Sequence, residues 1–541
     1  MAKLPFKRLI PIGISGLDDL FLGGIRNQNS ILIEGMPGTG KTIFALEFVY
    51  RGVVLFDEPG AFISLTTSRD QIVRDAAEFD WDLPALIQTE KFKIFDYSVE
   101  DLMKEIISGN GPFLDEIKRG KFKRISIDGL RLLKSRIARE PETDFGEQFS
   151  KFIRLVQSCG VMVLFTTDVR KASVAGQSGA DDEQFIADTL ISIGNSSRGK
   201  GVYRFIEIVK SRGQEFFTGR HSFCVTSAVG IRVFPRASVR PGDFDATNSQ
   251  ITSVEKSSVG IPALDEMLGG GVYTGSITLV TGISGTGKSV LGAQFLIEGA
   301  KSGRKGILIS MDEHPQQIRR NANSLGLELE EQEKLGNIVL AYDGPLELNL
   351  DVHLNTIKTL IETHKAERVV IDSLASYELV QPQEAREFIF ALTSYLKRNL
   401  ITAFYSYESP ELLGVSQISK DIKASAIVDN IVLLSYVEIS TLLRRAITVP
   451  KSRGSKPAQR TKEYLIQTGG VNILDDQTVE NVPSVPQLPL SSYYGVLARS
   501  PTRTSPVIDE TLASGKSLPM SQMPSPGAKR KKRSIGKPAR N

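Results

Sequence analysis

Short apolar runs recur along this chain with room for a helix between them. The first set lies at residues 30–34, 60–65, 124–128 and 161–166, each a near-continuous run of apolar positions. Runs of this kind predict strands buried on both faces, the pattern of a parallel sheet. Apolar positions at helical spacing fill the intervals, most clearly at 148–158, and a further strand is predicted near 203–209. The same order then repeats at 276–280, 306–311, 368–372, 401–405 and 431–434. Strands alternating with helices predict an α/β fold with right-handed crossovers.

The repeat has a fixed interval. Gly13-Ile14-Ser15-Gly16-Leu17-Asp18 matches Gly260-Ile261-Pro262-Ala263-Leu264-Asp265, and the offset of 247 positions also separates Lys41 from Lys288. A duplicated domain follows. Residues 1–235 form the first unit, 236–255 a Pro-, Ser- and Asp-containing linker, and 256–485 the second unit. Residues 486–541 form a Pro/Ser-rich and basic tail, expected to be disordered, at least past residue 515. A chain of 541 residues suits two domains and a tail.

Charge changes the picture only at the tail. The net charge is +4, but residues 515–541 hold eight basic residues and no acidic one, so the rest carries 4 − 8 = −4. The run Lys529-Arg530-Lys531-Lys532-Arg533 is expected to contact nucleic acid or an anionic membrane, with a solvated tail as the alternative. No apolar run reaches the roughly 18–20 residues that span a bilayer. Residues 1–11 do not read as a signal peptide, and a cytoplasmic location is expected. Cys159 and Cys224 are expected as buried free thiols. Four scattered histidines show no metal-ligand spacing.

The chemistry sits at the turns after the first strand of each unit. Gly35-Met36-Pro37-Gly38-Thr39-Gly40-Lys41-Thr42 and Gly282-Ile283-Ser284-Gly285-Thr286-Gly287-Lys288-Ser289 are phosphate-binding loops in the required strand–loop–helix context. Backbone N–H groups at Gly38, Thr39, Gly40 and at Gly285, Thr286, Gly287 would cradle the phosphates of ATP. Lys41 and Lys288 would reach the β/γ-phosphates, and Thr42 and Ser289 would hold Mg²⁺. Asp128 and Asp372 end apolar strands as the Mg²⁺-orienting aspartates. Asp312 and Glu313, after the strand that follows the loop helix, are the candidate catalytic carboxylates, Asp312 also a metal ligand. Lys210-Ser211-Arg212-Gly213 and Lys451-Ser452-Arg453-Gly454 recur near the end of each half. Alternate residues of an extended turn point the same way, so both cations of a pair reach one phosphate. Acting on a neighbour's nucleotide, they require a ring with sites between subunits.

Together the two halves resemble the KaiC family of circadian clock proteins, with tandem RecA-like P-loop NTPase domains. The marks include the first loop with Phe56-Asp57-Glu58-Pro59-Gly60, then Ile371-Asp372-Ser373-Leu374, Tyr436-Val437-Glu438-Ile439 and Ser500-Pro501-Thr502-Arg503. The resemblance implies a homohexamer that binds ATP in both tiers. In such proteins the first half is an ATPase, and the second phosphorylates a neighbouring Ser-Thr pair and can reverse the reaction. It implies KaiA- and KaiB-like regulators or other signalling proteins as partners. It places Thr226 and Ser227 on nucleotide across the interface of the first tier, and Arg445, Lys451, Ser452, Arg453 and Gly454 at the second site from the adjacent subunit. Ser425 matches the acceptor serine.

The departures are equally specific. The family's paired glutamates of the first half are Thr66 and Thr67, and its acceptor threonine is Ala426. The first half is therefore expected to bind ATP and hydrolyse it slowly, unless another acid such as Asp70 serves. The leading reading is an ATPase and serine autokinase of this type. The alternatives are a non-catalytic nucleotide-gated scaffold and a RecA-like nucleic-acid-associated ATPase.

Overall fold

The computed structural model describes residues 9–137, 144–169, 182–198, 201–227, 229–236, 253–344, 348–380, 382–408, 427–439, 442–455 and 460–474. Ser425, Ala426, the 500–503 motif and the basic run at 529–533 lie outside them.

The first unit opens with a ribbon of β1 (Leu9–Ile10) and β2 (Ile25–Arg26). Its main sheet contains β3 (Ser30–Gly35), β4 (Gly60–Ser64), β5 (Phe92–Phe95), β6 (Arg124–Asp128) and β7 (Met162–Asp168). It continues with β8 (Thr189–Arg198), β9 (Gly201–Ser211), β10 (Arg220–Thr226) and β11 (Gly230–Phe234). The spatial order is β11-β10-β9-β8-β3-β7-β6-β4-β5. The six strands from β8 to β5 run parallel, and β9, β10 and β11 add an antiparallel wing.

The second unit repeats the plan. A ribbon of β12 (Lys256–Ser257) and β13 (Val272–Tyr273) precedes β14 (Ile277–Gly282), β15 (Gly306–Ser310), β16 (Ile338–Tyr342), β17 (Arg368–Asp372) and β18 (Thr402–Glu408). Then come β19 (Asn430–Ile439), β20 (Leu442–Ser452), β21 (Thr461–Gln467) and β22 (Gly470–Ile473). The order β16-β15-β17-β18-β14-β19-β20-β21-β22 is the same topology.

Burial on both faces explains the apolar runs. Leu32, Ile63, Ile127 and Phe165 join a core on one face of the first sheet, while Ile31, Ile33, Phe62 and Leu164 join the core on the other. In the second sheet Leu279, Ile309 and Ile371 divide in the same way from Val280, Leu308 and Val370. The parallel order brings the C-terminal ends of β3, β6 and β7 together, and likewise those of β14, β17 and β18. Ligands of open α/β sheets bind at that edge.

Three features depart from the expectations. The edge strands β5 and β16 stand in intervals where no strand was expected, and the wing adds antiparallel strands. Cys159 and Cys224 are half-buried rather than buried. Cys159 caps the end of the helix Phe145–Ser158, and Cys224 lies in the wing, where partial burial pushes its thiol up. Among the described residues no helix is long and apolar enough to cross a membrane.

Candidate active site

Each P-loop leaves its strand at a glycine and enters a helix: β3 leads to Lys41–Phe56, and β14 to Lys288–Lys301. Gly40 (φ 104°) and Gly287 (φ 95°) cap these helices in a left-handed conformation that side chains disfavour. Thr39 Oγ1 closes the first loop on Met36 O, and Thr286 Oγ1 closes the second on Ile283 O, both at 2.8 Å. Lys41 Nζ donates to Gly35 O and Met36 O at 2.9 Å, and Lys288 Nζ to Gly282 O and Ile283 O at 2.9 Å. Both ammonium groups thus fold back onto carbonyls of their own loops. Burial lowers the Lys288 pKa, against the pull of Glu408, Asp372 and Asp312.

The hydroxyl after each lysine meets an aspartate. Thr42 Oγ1 donates to Asp128 Oδ2 at 3.0 Å, and Ser289 Oγ to Asp372 Oδ2 at 2.6 Å. The other oxygens of these carboxylates accept from Thr166 Oγ1 at 2.6 Å and from Ser406 Oγ. A hydroxyl beside a held carboxylate is the hard-oxygen set that suits Mg²⁺ bridged to phosphates and water.

Asp312 stands one step away. Its two oxygens accept from Ser373 Oγ at 2.9 Å and Ser376 Oγ at 2.7 Å, so the carboxylate that touches Ser289 is that of Asp372. Glu313 accepts from Asn321 Nδ2 at 3.3 Å, and its pKa is raised by burial and by Asp372. Asp312, Glu313, Lys288, Ser289 and Asp372 all line one cavity of ≈ 330 Å³. In the first half Thr66 and Thr67 occupy the corresponding strand end. Their hydroxyls lie 3.4 Å apart, and Thr66 Oγ1 donates to Asp128 Oδ2 at 3.4 Å. Asp70 is exposed in the first turn of the helix Arg69–Ala77.

The paired cations lie at the other end of each sheet. Lys210 Nζ and Arg212 Nη2 both donate to Phe185 O, at 3.2 and 2.5 Å, and Arg212 stands 3.7 Å from Asp188. Ser211 Oγ lies 2.9 Å from Thr189 Oγ1. Lys451 Nζ donates to Val428 O at 2.8 Å, Arg453 stands 3.6 Å from Asp429, and Ser452 Oγ donates to Asn430 at 3.1 Å. Gly454 O accepts from Tyr273 OH at 3.1 Å. Asp188 and Asp429 tie these groups to Ser30 and Ile277, the starting ends of β3 and β14. The loops leave from Gly35 and Gly282, a strand length of roughly 16 Å away.

Thr226 ends β10, where the preceding Val225 packs beside Gly40 of the same chain, and Ser227 follows in the turn toward β11. Arg445 lies over the Tyr436 ring at 5.6 Å, and Tyr436 OH donates to Gly285 O at 3.0 Å. Arg445 therefore sits beside its own loop. Four contributors were not read from the sequence: Ser373 and Ser376, which aim Asp312, and Asp168 and Glu408. The latter two pair in register with Gly35 and Gly282. Finding them needs the strand register, which only the sheet supplies.

Two nine-stranded sheets of one topology, each with a P-loop, a hydroxyl–aspartate pair and a distant cation pair, define a tandem RecA-like P-loop NTPase. A family model for the KaiC ATPase matches residues 10–238 and again 257–478. The circadian clock oscillator protein KaiC of Parathermosynechococcus lividus is 33% identical over 508 residues, 92% of this chain and 88% of that protein. KaiC of Picosynechococcus sp. is 32% identical over 505 residues, 92% of each, and KaiC of Synechococcus elongatus 33% over 476 residues, 85% and 88%. The chain belongs to the KaiC ATPase family.

Proposed function

We propose that this protein is an ATP-dependent hexamer whose second half phosphorylates Ser425 of a neighbouring chain and reverses that transfer, signalling through its nucleotide and phosphorylation state. The observation that carries the reading is the position of Lys451 and Arg453, a strand length from their own glycine loop. Cations so placed serve a nucleotide only across a subunit boundary, and a closed ring satisfies every site at once.

The residues divide the work as follows. Backbone N–H groups of Gly285–Gly287 and Lys288 hold the phosphates. Ser289 with Asp372, and Thr42 with Asp128, would hold Mg²⁺, whose charge would offset that of the phosphates. Asp312, aimed by Ser373 and Ser376, or Glu313 takes the proton of the Ser425 hydroxyl. Its oxygen bonds to the γ-phosphorus while the bond to the β–γ bridging oxygen breaks and ADP leaves. Lys451 and Arg453 of the adjacent subunit balance the charge on the transferring group. The first tier binds ATP in the same way, with Lys210 and Arg212 in trans. KaiA- and KaiB-like proteins are the expected regulators, by likeness to the clock relatives.

Subunit mixing tests the reading. A Lys288→Ala chain lacks a working loop, and a Lys451→Ala/Arg453→Ala chain lacks the cations. Each alone should have lost phosphate transfer from labelled ATP, and co-assembled they should regain part of it. No recovery from mixed rings, with mixing shown by mass, refutes action in trans.

A further inference from the structure

Asp168 closes β7 directly beside the first glycine loop. It pairs in register with Gly35, the last residue of β3. Lys41 Nζ, which donates to Gly35 O and Met36 O, meets Asp168 Oδ1 at 2.8 Å. The lysine side chain is 11% exposed and the acid 36%, so the carboxylate stands at the mouth of the cradle with one edge open to solvent. A P-loop lysine reaches the β/γ-phosphates. An acid in contact with that ammonium therefore stands on the side of the loop where the γ-phosphoryl group would bind. The strand order agrees, because β7 runs between β3, which carries the loop, and β6, which carries Asp128.

Comparison of the two halves gives this acid a task. In the second half Glu408 holds the same register position, opposite Gly282, and leads the charges acting on Lys288. There Asp312 and Glu313 supply the reactive carboxylates. In the first half their places belong to Thr66 and Thr67, hydroxyls that take no proton near neutral pH. Asp70 is on an exposed helical turn. The half that lost its carboxylate pair is the half in which an acid touches the P-loop lysine.

We propose that Asp168 is the general base of the first ATP site, accepting a proton from the attacking water in place of the missing pair. The inference rests on the reading of the first half as an ATP site. The water oxygen bonds to the γ-phosphorus as its proton passes to the Asp168 carboxylate. The bond from that phosphorus to the β–γ bridging oxygen breaks, and ADP leaves with the electron pair. The proton then departs to solvent along the exposed edge of Asp168. The first tier on this account turns ATP over, against the slow hydrolysis expected from Thr66 and Thr67.

The test uses the full chain carrying Asp312→Asn/Glu313→Gln, so that hydrolysis reports the first site. Adding Asp168→Asn should lower kcat about 10²–10⁴-fold while leaving the affinity for a non-hydrolysable ATP analogue within about threefold. Asp168→Glu should restore part of the rate. An unchanged kcat with tighter analogue binding would make Asp168 only a counter-ion of Lys41 and overturn the proposal. So would a parent chain that binds labelled ATP in its first half and does not hydrolyse it. Absence of labelled-ATP binding by a Lys288→Ala chain would instead refute the first half as an ATP site.

Discussion

Ser289, in the first turn of the P-loop helix, donates its hydroxyl to Asp372, the last residue of β17, at 2.6 Å. The contact sets two hard oxygen donors side by side, a pair that would suit Mg²⁺, and Ser406 fixes the far oxygen of the same carboxylate. Asp372→Asn should weaken Mg²⁺-dependent nucleotide binding at the second site about 10–100-fold, the usual loss when a partner of a metal ligand is changed. Titration of labelled ATP into a chain carrying Lys41→Ala, with Mg²⁺ and with EDTA, measures it. An equal loss in both conditions would mean that Asp372 only braces the strand end.

The displaced cations predict that assembly depends on nucleotide. Lys210 and Arg212 gather at Phe185 and Asp188, level with the start of β3, while the cradle opens at its end. Six chains should assemble with a non-hydrolysable ATP analogue, and smaller species should dominate without it. Mass measurement at micromolar protein decides this, and a single-chain species in the presence of the analogue would refute the ring.

Ser425 is the acceptor to test. The resemblance matches it to the family's acceptor serine, with Ala426 in place of the neighbouring threonine. After incubation with Mg-ATP, phosphosite mass spectrometry should find Ser425 as the main modified residue, and Ser425→Ala should remove most of the incorporated label. Undiminished labelling of that variant would move the acceptor elsewhere.

How far the site was legible follows from what each residue needs for recognition. Lys41, Lys288, Asp128 and Asp372 were readable because strand, glycine loop and terminal aspartate are all local patterns. Their contacts with Thr42 and Ser289 close over distances that the motif already implies. Lys210 and Arg212 were readable as a pair through alternation along an extended segment, and both do turn to Phe185 O. Their distance from their own loop was not readable, since it depends on β8 and β9 lying beside β3. Asp168 and Glu408 were hidden for the same reason: an acid at a strand end is unremarkable until the register sets it opposite Gly35 or Gly282. The edge strands β5 and β16 are short, with few positions to show a period.

Among the buried positions at which the two P-loop helices differ, Glu47 against Gln294 predicts a pH effect. Glu47 is fully buried and accepts from Ile231 N at 2.7 Å, with Arg51 at 3.0 Å. Gln294 takes the same place in the second half, accepting from Val471 N at 2.8 Å and donating to Gly469 O at 3.2 Å. Burial pushes the Glu47 carboxyl up to about 7 from 4.5, against the backbone hydrogen bond and the Arg51 charge. Between these values the folded state holds the proton more tightly than the unfolded chain. Stability from this group therefore falls as pH rises from 4.5 to about 7 and is level above. The full span is worth on the order of 3 kcal/mol at pH 8. Glu47→Gln keeps the acceptor for Ile231 N and loses the ion pair with Arg51, so it should recover only part of that, about 1–2 kcal/mol at pH 8. Near pH 5, where the native carboxyl is already neutral, the gain should be close to zero. Denaturant unfolding of the first-half transition at both pH values checks it, and a gain of equal size at pH 5 would show that the benefit is packing rather than relief of a buried charge.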